Sequence, residues 1–337
     1  MSDRVCVTGA AGFVGSYVVK ELLAKGYRVR ATVRDPGDKR KTAHLEGFEG
    51  AADRLELFEA DLEKPGAFED AVDGAKHVVH TASAVTLNAK DPQREIVDVA
   101  VHGTKNVVGA ALRSGSVSRI VMTSSVAAVV GDDKSDDYRF SERDWNETAT
   151  VRKDAYATSK VQAEKAARTL VQGKDVRFIA MLPSLILGPV LTEAHLRTSP
   201  VILNELLTGK FPGVPNLYFG VIDVRDVAAA HVAALAAPDP ADRYLCSSEV
   251  MGLREMATIL RETVPNGKTP KLPLPNILMY ATALFDKRLT FGFLRQNLNR
   301  APTLDNRRLR EGLGVSLRLV RETVADTARS IEKLGKL

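Results

Sequence analysis

The sequence predicts an α/β fold in which a doubly wound parallel sheet is joined by a smaller, mostly helical part. Short runs rich in Val, Ile and Leu alternate with longer amphipathic stretches, as in chains built from βαβ units. The runs are almost continuously apolar, which is typical of strands that a parallel sheet buries on both faces. The length of 337 residues accommodates two domains or one large α/β unit.

Each predicted strand is an apolar run bounded by a turn, and each predicted helix is a longer amphipathic stretch. We predict strands at residues 4–8, 28–33, 55–60, 77–81, 119–123, 176–182 and 218–224, with a further buried strand around Cys246. We predict helices at residues 13–25, 66–72, 94–113 and 226–236, one that contains Tyr156, and two between residues 305 and 334. Gly26 ends the first helix and Pro183 ends the sixth strand, because both residue types interrupt regular structure.

Composition and charge argue against several classes of protein. The net charge of +5 is mild and the Lys and Arg residues are scattered, so a solvated basic surface is favoured over nucleic-acid binding. Cys6 and Cys246 lie in predicted strands without Cys or His neighbours at metal-binding spacing, so we expect core residues, no disulfide and no metal. No apolar run reaches the roughly 18 residues of a membrane span, and no signal-peptide pattern precedes the first strand. We therefore expect a cytoplasmic protein.

A glycine-rich turn joins the first predicted strand to the first predicted helix. It reads Thr8-Gly9-Ala10-Ala11-Gly12-Phe13-Val14-Gly15. Three glycines at this spacing permit a tight turn, close approach of the backbone to a pyrophosphate and close packing of helix on strand. The free N–H groups and the positive dipole end of the helix suit phosphate. The turn therefore predicts a dinucleotide site on a Rossmann-type sheet, and a tight turn without a ligand is the weaker alternative.

The residues after the second predicted strand indicate which dinucleotide to expect. Enzymes that use NAD usually carry an acidic residue there, which binds the ribose 2′-hydroxyl. This chain has Val33 in that place, followed by Arg34 and by three cations at residues 39–41. A guanidinium group suits a 2′-phosphate, so NADPH or NADP+ is favoured. The open alternative is that Arg34 is a surface residue and Asp35 contacts the ribose.

Two short segments follow the third and fourth predicted strands, where this fold places loops against the cofactor. Asp61 precedes Leu62 after the third strand, and its carboxylate either holds the adenine edge or caps the next helix. Thr81, Ala82 and Ser83 follow the fourth strand, and their small side chains permit close approach of a cofactor.

Tyr156 and Lys160 are four residues apart in a predicted helix, so their side chains lie on one helical face. A free phenol keeps its proton until about pH 10. A nearby ammonium group favours the phenolate form, so such a pair is a tunable proton donor. Alone the pattern is weak, because the same spacing often produces a solvated pair.

The chain is expected to form two interleaved parts. Residues 1–183, rejoined by about 218–250, would form the nucleotide-binding domain. Residues from about 184 to 217, together with 251–337, would form a smaller domain that covers the substrate. Gly, Pro and Arg become frequent around residues 265–275, but no clean linker separates the two parts.

These motifs, in this order and over nearly the whole chain, resemble the extended short-chain dehydrogenase/reductases. The resemblance rests on the glycine turn, Asp61-Leu62, His80-Thr81-Ala82-Ser83, Thr123-Ser124-Ser125, Tyr156-x-x-x-Lys160, Leu182-Pro183-Ser184, Gly188-Pro189 and Asp223-Val224-Arg225-Asp226-Val227-Ala228. Within that superfamily the chain is most similar to the branch of dihydroflavonol 4-reductases and NADPH-dependent aldehyde and carbonyl reductases. Ala31-Thr32-Val33-Arg34-Asp35-Pro36, Lys41 and Arg243-Tyr244-Leu245-Cys246-Ser247-Ser248 match that branch.

The resemblance implies roles for particular residues. Ser125, Tyr156 and Lys160 would be catalytic, with Ser124 as the fallback for Ser125. Cofactor contacts would come from Thr8, Gly9, Ala11, Gly12, Phe13, Val14, Gly15, Arg34, Lys41, Asp61, Leu62, Thr81, Ala82, Ser83, Thr123, Tyr156, Lys160, Pro183 and Ser184. The substrate would be bordered by Val85, Ser125, Trp145 and Leu187, although local packing explains Trp145 equally well.

The resemblance also implies an activity: reversible NADPH-dependent reduction of an aldehyde or ketone, with hydride from nicotinamide C4 and the proton from Tyr156. The alternative on the same fold is a sugar-nucleotide epimerase or dehydratase. Many relatives carry an asparagine where this chain has Ala100, so a backbone carbonyl with water would replace a proton relay through that side chain. The expected partner is a small carbonyl compound, and the chain would be a monomer or a homodimer.

Overall fold

The computed structural model describes residues 3–83, 89–135, 137–283 and 291–335. Val85, expected at the substrate, lies outside the described residues. The strands, in chain order, are β1 Arg4–Thr8, β2 Arg28–Val33, β3 Leu55–Glu59, β4 His77–His80, β5 Arg119–Thr123, β6 Arg139–Phe140, β7 Arg177–Pro183, β8 Leu185–Leu187, β9 Tyr218–Asp223, β10 Arg243–Cys246, β11 Glu249–Gly252 and β12 Thr303–Leu304. The α-helices are α1 Phe13–Ala24, α2 Lys39–Glu46, α3 Ala51–Arg54, α4 Glu69–Val72, α5 Val99–Ser114, α6 Val151–Val171, α7 Val201–Leu207, α8 Val224–Ala236, α9 Leu253–Thr263, α10 Asn276–Ala283, α11 Phe291–Asn297 and α12 Val320–Lys333.

The main sheet has seven parallel strands in the order β10-β7-β5-β4-β1-β2-β3, which confirms the predicted fold class. The order reverses direction between β1 and β4, which are paired with Thr8 opposite His80. In doubly wound sheets, ligands bind outside the carboxyl ends of the strands at such a switch point. The segments after Thr8 and His80 therefore define the edge where the site is expected.

Two helical layers cover the sheet, and alternate residues of each strand face one layer or the other. Val5 and Val7 of β1 belong to the cluster that includes α1, α8 and the C-terminal helices. Cys6, between them, faces α4, α5 and α6 on the other side. All three side chains are fully buried, which explains the continuous apolar run in the sequence. Burial raises the pKa of the Cys6 thiol to about 12, as expected for a core cysteine.

Two further sheets lie outside the main sheet. A three-stranded sheet has the order β11-β9-β8, and β12 pairs with β6 in a two-stranded sheet. The predicted strand at 218–224 therefore forms, but it pairs outside the main sheet. The seventh strand of the main sheet is instead β10, which contains Cys246 and pairs with β7. Pairing partners are non-local, so an apolar run alone does not distinguish the two outcomes.

The other predicted helices form with shorter or altered bounds. The predicted helix at 66–72 is reduced to α4, and the one at 94–113 is a π-helix, Gln93–Asp98, continued by α5. The tail has a π-helix at Arg308–Gly312 followed by α12.

The segment after β8 is anchored by helices from both ends of the chain. The Gly188 and Val190 amides donate hydrogen bonds to the hydroxyls of Thr327 and Ser330 on α12, at 2.8 and 2.9 Å. The Tyr17 hydroxyl of α1 donates to the Pro189 carbonyl at 2.7 Å. The helices α1 and α12 therefore hold the same short segment.

Two classes of feature are not found in the described ranges. None of the helices there combines the length and hydropathy needed to cross a bilayer. Nor does that part of the chain hold three or more His, Cys, Asp or Glu side chains arranged for a metal ion.

Candidate active site

The glycine turn packs so closely that side chains would not fit at two of its glycines. Gly9 has φ +68°, and a Cβ there would lie 2.7 Å from Ala82 Cα. A Cβ on Gly15 would lie 2.3 Å from the Gly9 carbonyl oxygen. The first glycine therefore lets β1 and the loop after β4 approach each other, and the third lets α1 begin against the turn.

The predicted contacts in this turn differ in their accessibility. The Ala11 and Val14 side chains are half-buried and Gly12 is exposed, so this stretch borders open space at the start of α1. Thr8 and Phe13 are buried, so their side chains stabilise the turn from below. The Thr8 hydroxyl lies 2.7 Å from His80 Nδ1 and accepts a hydrogen bond from the Ala82 amide at 3.3 Å.

The loop after β2 contains one cation that is free of carboxylates. Asp38 pairs with Arg40 and with Lys41, both at 3.1 Å. Hydrogen bonds from these two cations lower the pKa of Asp38 to about 2. Arg34 is exposed, and within the described part of the chain no carboxylate pairs with it. The Asp35 carboxylate accepts from the Gly37 amide at 2.8 Å, which folds the loop back on itself.

The segment after β3 is held by a side chain of α5. Asp61 accepts a hydrogen bond from the Glu63 amide at 3.0 Å, so one of its oxygens serves a local turn. Asn106 donates to the Lys64 carbonyl at 2.6 Å and accepts from the Gly66 amide at 3.2 Å. Leu62 packs against Gly103, where a Cβ would lie 2.9 Å from the leucine side chain. The Asn106 side chain is therefore occupied by this loop. Ala100, where many relatives carry an asparagine, has no polar side chain.

Tyr156 and Lys160 lie in the first two turns of a helix that begins after a break in α6. Asp154 interrupts α6 with φ −157° and ψ 93°, and its carboxylate accepts from the Ala157 amide at 2.8 Å. Asp154 is thus the N-cap of a helix that begins at Ala155. The positive end of that helix dipole lies beside Tyr156, where it favours negative charge. Burial raises the pKa of Asp154, while the helix amides oppose that effect.

Lys160 links the tyrosine to the loop after β4. Its Nζ lies 5.6 Å from the centre of the Tyr156 ring and donates to the Ser83 hydroxyl at 3.3 Å. Lys160 is only 7% exposed, whereas Tyr156 is 42% exposed. A buried cation therefore lies beneath an accessible phenol, next to the loop that contacts the glycine turn.

The two serines at the end of β5 have different surroundings. The Ser124 hydroxyl donates to the buried Glu164 carboxylate at 2.8 Å. Glu164 also forms ion pairs with Arg243 at 2.9 Å and Arg168 at 3.1 Å. The Ser125 hydroxyl oxygen accepts from the Ala127 amide at 3.2 Å, and its hydrogen has no acceptor among the described residues. The hydroxyl hydrogen of Ser125 is therefore available for a ligand, whereas that of Ser124 is used by Glu164.

Three other predicted contacts are tied into the protein. The Thr123 hydroxyl lies 2.8 Å from His231 Nε2, and because His231 Nδ1 bonds the Val227 carbonyl at 2.7 Å, the threonine is the donor. The Ser184 amide and hydroxyl both donate to the Cys246 carbonyl, at 3.0 and 3.3 Å. Pro183 is buried at the end of β7. Any contact from these residues would come from backbone or from the edge of a side chain.

Two residues predicted at the substrate border pack against other parts of the protein. Leu187 is fully buried in the main apolar cluster, because β8 turns it inward. The Trp145 ring is stacked by cations, with Arg243 Cζ 4.0 Å and Lys165 Nζ 5.2 Å from its centre. The Leu187 side chain is therefore part of the core, and the cations on Trp145 show the local packing that was its alternative role. The substrate border stays a prediction.

Sequence reasoning missed Glu164 and Asp154. Glu164 continues the spacing of four that relates Tyr156 to Lys160, and this was the available signal. Asp154 precedes the helix as an N-cap residue would, but the helical pattern before it conceals the break.

The chain matches known proteins over most of its length. Residues 5–246 match the model of the NAD dependent epimerase/dehydratase family. A cinnamoyl-CoA reductase of Medicago truncatula is 38% identical over 278 residues, which cover 80% of this chain and 84% of that protein. A dihydroflavonol 4-reductase of Gerbera hybrida is 33% identical over 300 residues, covering 86% and 82%.

A solved structure shows the same fold over its full length. The yeast methylglyoxal/isovaleraldehyde reductase Gre2, crystallised with NADPH, has a TM-score of 0.81 and 28% identity, covering 99% of this chain and 100% of that one. The matched family model spans well over half of the chain and includes the glycine turn and the Tyr156 helix. The chain therefore belongs to the NAD dependent epimerase/dehydratase family, within the extended short-chain dehydrogenase/reductases.

Proposed function

We propose that this protein is an NADPH-dependent reductase that converts an aldehyde or ketone to the alcohol, and that runs reversibly. The observation that carries the proposal is the accessible Tyr156 phenol above the buried Lys160 ammonium. The reductase names of the relatives in plants and yeast support the same class of reaction.

The described residues fit a dinucleotide. The close contact of Gly9 and Gly15 with their neighbours leaves bare backbone at the start of α1, where free amides suit a pyrophosphate. Arg34, after β2, pairs with no carboxylate of the described residues, and the buried Val33 supplies none. A free guanidinium group in that place favours a ribose 2′-phosphate. Similarity to Gre2, crystallised with NADPH, supports the same choice.

Each residue of the proposed triad has a distinct role. When bound, NADPH supplies the hydride that reduces the carbonyl carbon. Ser125, whose hydroxyl hydrogen is available, would donate to the carbonyl oxygen. Tyr156 would donate to the same oxygen and transfer its proton as negative charge develops there. Lys160 and the helix dipole stabilise the phenolate that remains.

A proton must then return to Tyr156. Asn106 is occupied with the loop after β3 and Ala100 has no polar side chain, so neither side chain relays it. Lys160 is connected to Ser83, which is exposed. We propose that water on this side, held by a backbone carbonyl, relays the proton to Lys160.

The part formed by about 184–217 and 251–337 would cover the substrate above the sheet. We propose a cytoplasmic protein that acts as a monomer or homodimer on a small carbonyl compound.

The decisive experiment follows NADPH absorbance with a panel of aldehydes, α-ketoesters, aryl ketones and a dihydroflavonol. We expect consumption of NADPH with at least one substrate class and less than a tenth of that rate in Tyr156→Phe. The absence of turnover across the panel, together with NAD+ that co-purifies with the protein, would favour a sugar-nucleotide epimerase or dehydratase.

A further inference from the structure

Two consecutive carbonyl groups of the glycine turn accept hydrogen bonds from side chains behind it. The Ser16 hydroxyl donates to the Ala10 carbonyl at 3.1 Å. His195 Nε2 lies 3.2 Å from the Ala11 carbonyl oxygen. The Leu191 amide donates to His195 Nδ1 at 3.3 Å, so the proton of the neutral ring is on Nε2, which donates to Ala11.

A second histidine, His44, packs against His195 and forms a hydrogen bond with Ser16. His44 Nε2 lies 2.8 Å from the Ser16 hydroxyl. Since Ser16 gives its only hydrogen to Ala10, the His44 ring donates to the serine. The two imidazole rings meet edge to face with centres 5.6 Å apart, and the Phe13 ring lies 5.4 Å from His195.

These contacts join three elements that surround the expected dinucleotide. His195 comes from a 3-10 helix, Glu193–Arg197, in the smaller part of the chain. His44 lies on α2, three residues after Lys41 and in the element that follows Arg34. Both act on the turn between β1 and α1, so the two side chains connect the turn to both neighbouring elements.

The direction of these hydrogen bonds matters for an anion. A carbonyl oxygen that faced the pyrophosphate would repel it, whereas an amide attracts it. Ser16 and His195 are buried, so the two carbonyl oxygens that they hold point into the protein rather than to solvent. Burial lowers the pKa of His195 to about 4, so near neutral pH the ring keeps the neutral tautomer that these bonds require.

We propose that His195, together with His44 acting through Ser16, positions the glycine turn for the pyrophosphate of the dinucleotide. The inference rests on the proposed function, because it assumes that this turn binds NADPH. Neither histidine is a catalytic residue, since neither lies at the Tyr156 phenol. Their loss should therefore weaken NADPH binding and leave the chemical step unchanged.

The test compares two conservative variants that divide the histidine's two bonds. His195→Gln places an amide donor near the Nε2 position and so keeps the bond to Ala11. His195→Asn places an acceptor near Nδ1 and keeps the bond from Leu191, but loses the one to Ala11. Because the bond to Ala11 would hold the turn in the conformation that binds the pyrophosphate, we expect the dissociation constant of NADPH to rise in His195→Asn by roughly fivefold to tenfold, at most the worth of that bond, and by less than about twofold in His195→Gln.

Kinetic measurements and a matched control complete the test. At saturating NADPH, kcat of both variants should stay within about twofold of the wild type, while KM for NADPH follows the dissociation constant. His77→Gln is the control, because His77 is also buried with a pKa lowered by burial, but lies at the amino end of β4. We expect its NADPH affinity to equal that of the wild type.

The outcomes that would overturn the inference are separate from those that concern the proposed function. Equal NADPH affinity in His195→Asn, His195→Gln and the wild type would overturn it, as would a fall in kcat as large as the rise in KM. A wild-type protein that binds no NADPH would instead overturn the proposed function, and the inference with it.

Discussion

Ser124 donates a hydrogen bond of 2.8 Å to Glu164, a residue two helical turns beyond Tyr156 on α6. The carboxylate is fully buried and is neutralised by Arg243 and Arg168. This contact connects the end of β5 to the helix that carries the proposed acid. It also gives the two adjacent serines different hydrogen-bond partners, which the sequence alone does not show.

We expect Ser125→Ala to lower kcat by about 10²–10³, because one donor to the developing alkoxide is lost. Ser124→Ala should keep most of its turnover but lower the free energy of unfolding by about 1–3 kcal/mol, because a buried acceptor loses its partner. Steady-state kinetics and urea unfolding of both variants would check this. The reverse pattern, with turnover lost only in Ser124→Ala, would return the catalytic role to Ser124.

Tyr156→Phe should lower kcat by roughly 10²–10⁴, the usual contribution of a positioned proton donor. The dissociation constant of NADPH should change little, because the phenol is 42% exposed and Lys160 stays anchored by Ser83. Fluorescence titration with NADPH and single-turnover kinetics would separate the two effects. Near-normal turnover would place the acid elsewhere in the molecule.

Arg34→Ala should raise the dissociation constant of NADPH roughly tenfold to hundredfold, since a charge-assisted hydrogen bond to the phosphate is worth about 1.5–3 kcal/mol. NADH binding should be unaffected, because NADH lacks that phosphate. Arg40→Ala is the matched control, as Arg40 is equally exposed but paired with Asp38. If wild-type protein bound NADH more tightly than NADPH, the role of Arg34 would be wrong.

The stability of the protein should fall as the pH decreases from about 6.5 to about 4. Burial lowers the pKa of His77, His195 and His231 to about 4 and that of His80 to about 3. The same groups titrate near 6.5 in the unfolded chain, which therefore binds more protons in this range. Each histidine contributes up to about 1.4 kcal/mol per pH unit to the loss.

Urea unfolding at pH 7.5 and pH 5 would measure this dependence. The His77→Gln variant lacks one of the four groups and should show a smaller difference between the two pH values. An equal difference in the variant and the wild type would show that His77 does not take part.

Much of the main sheet could be predicted, because local sequence determines which runs form buried strands. Val5, Cys6 and Val7 are apolar on both faces, and this pattern distinguishes a central parallel strand from an amphipathic one. The glycine turn could also be predicted, because close backbone contacts leave no room for a side chain at Gly9 or Gly15. The fold class and the family were therefore predicted correctly.

Other features depend on contacts between distant residues, and the sequence does not display them. The sequence predicts the Tyr218–Asp223 strand but not its partners, which are β8 and β11. The sequence also does not show that Arg243, far along the chain, stacks on the ring of Trp145. The hydroxyl of Thr123 is directed to His231 by the same kind of long-range contact.

The anchoring of Gly188 and Val190 by Thr327 and Ser330 has a consequence for biosynthesis. A ribosome has made β1 to β10 before it reaches the codons for α12, so the main sheet can assemble on the nascent chain. The segment after β8 receives its final hydrogen bonds only when residue 330 has left the exit tunnel. These hydrogen bonds therefore form only after every strand of the main sheet has been synthesised.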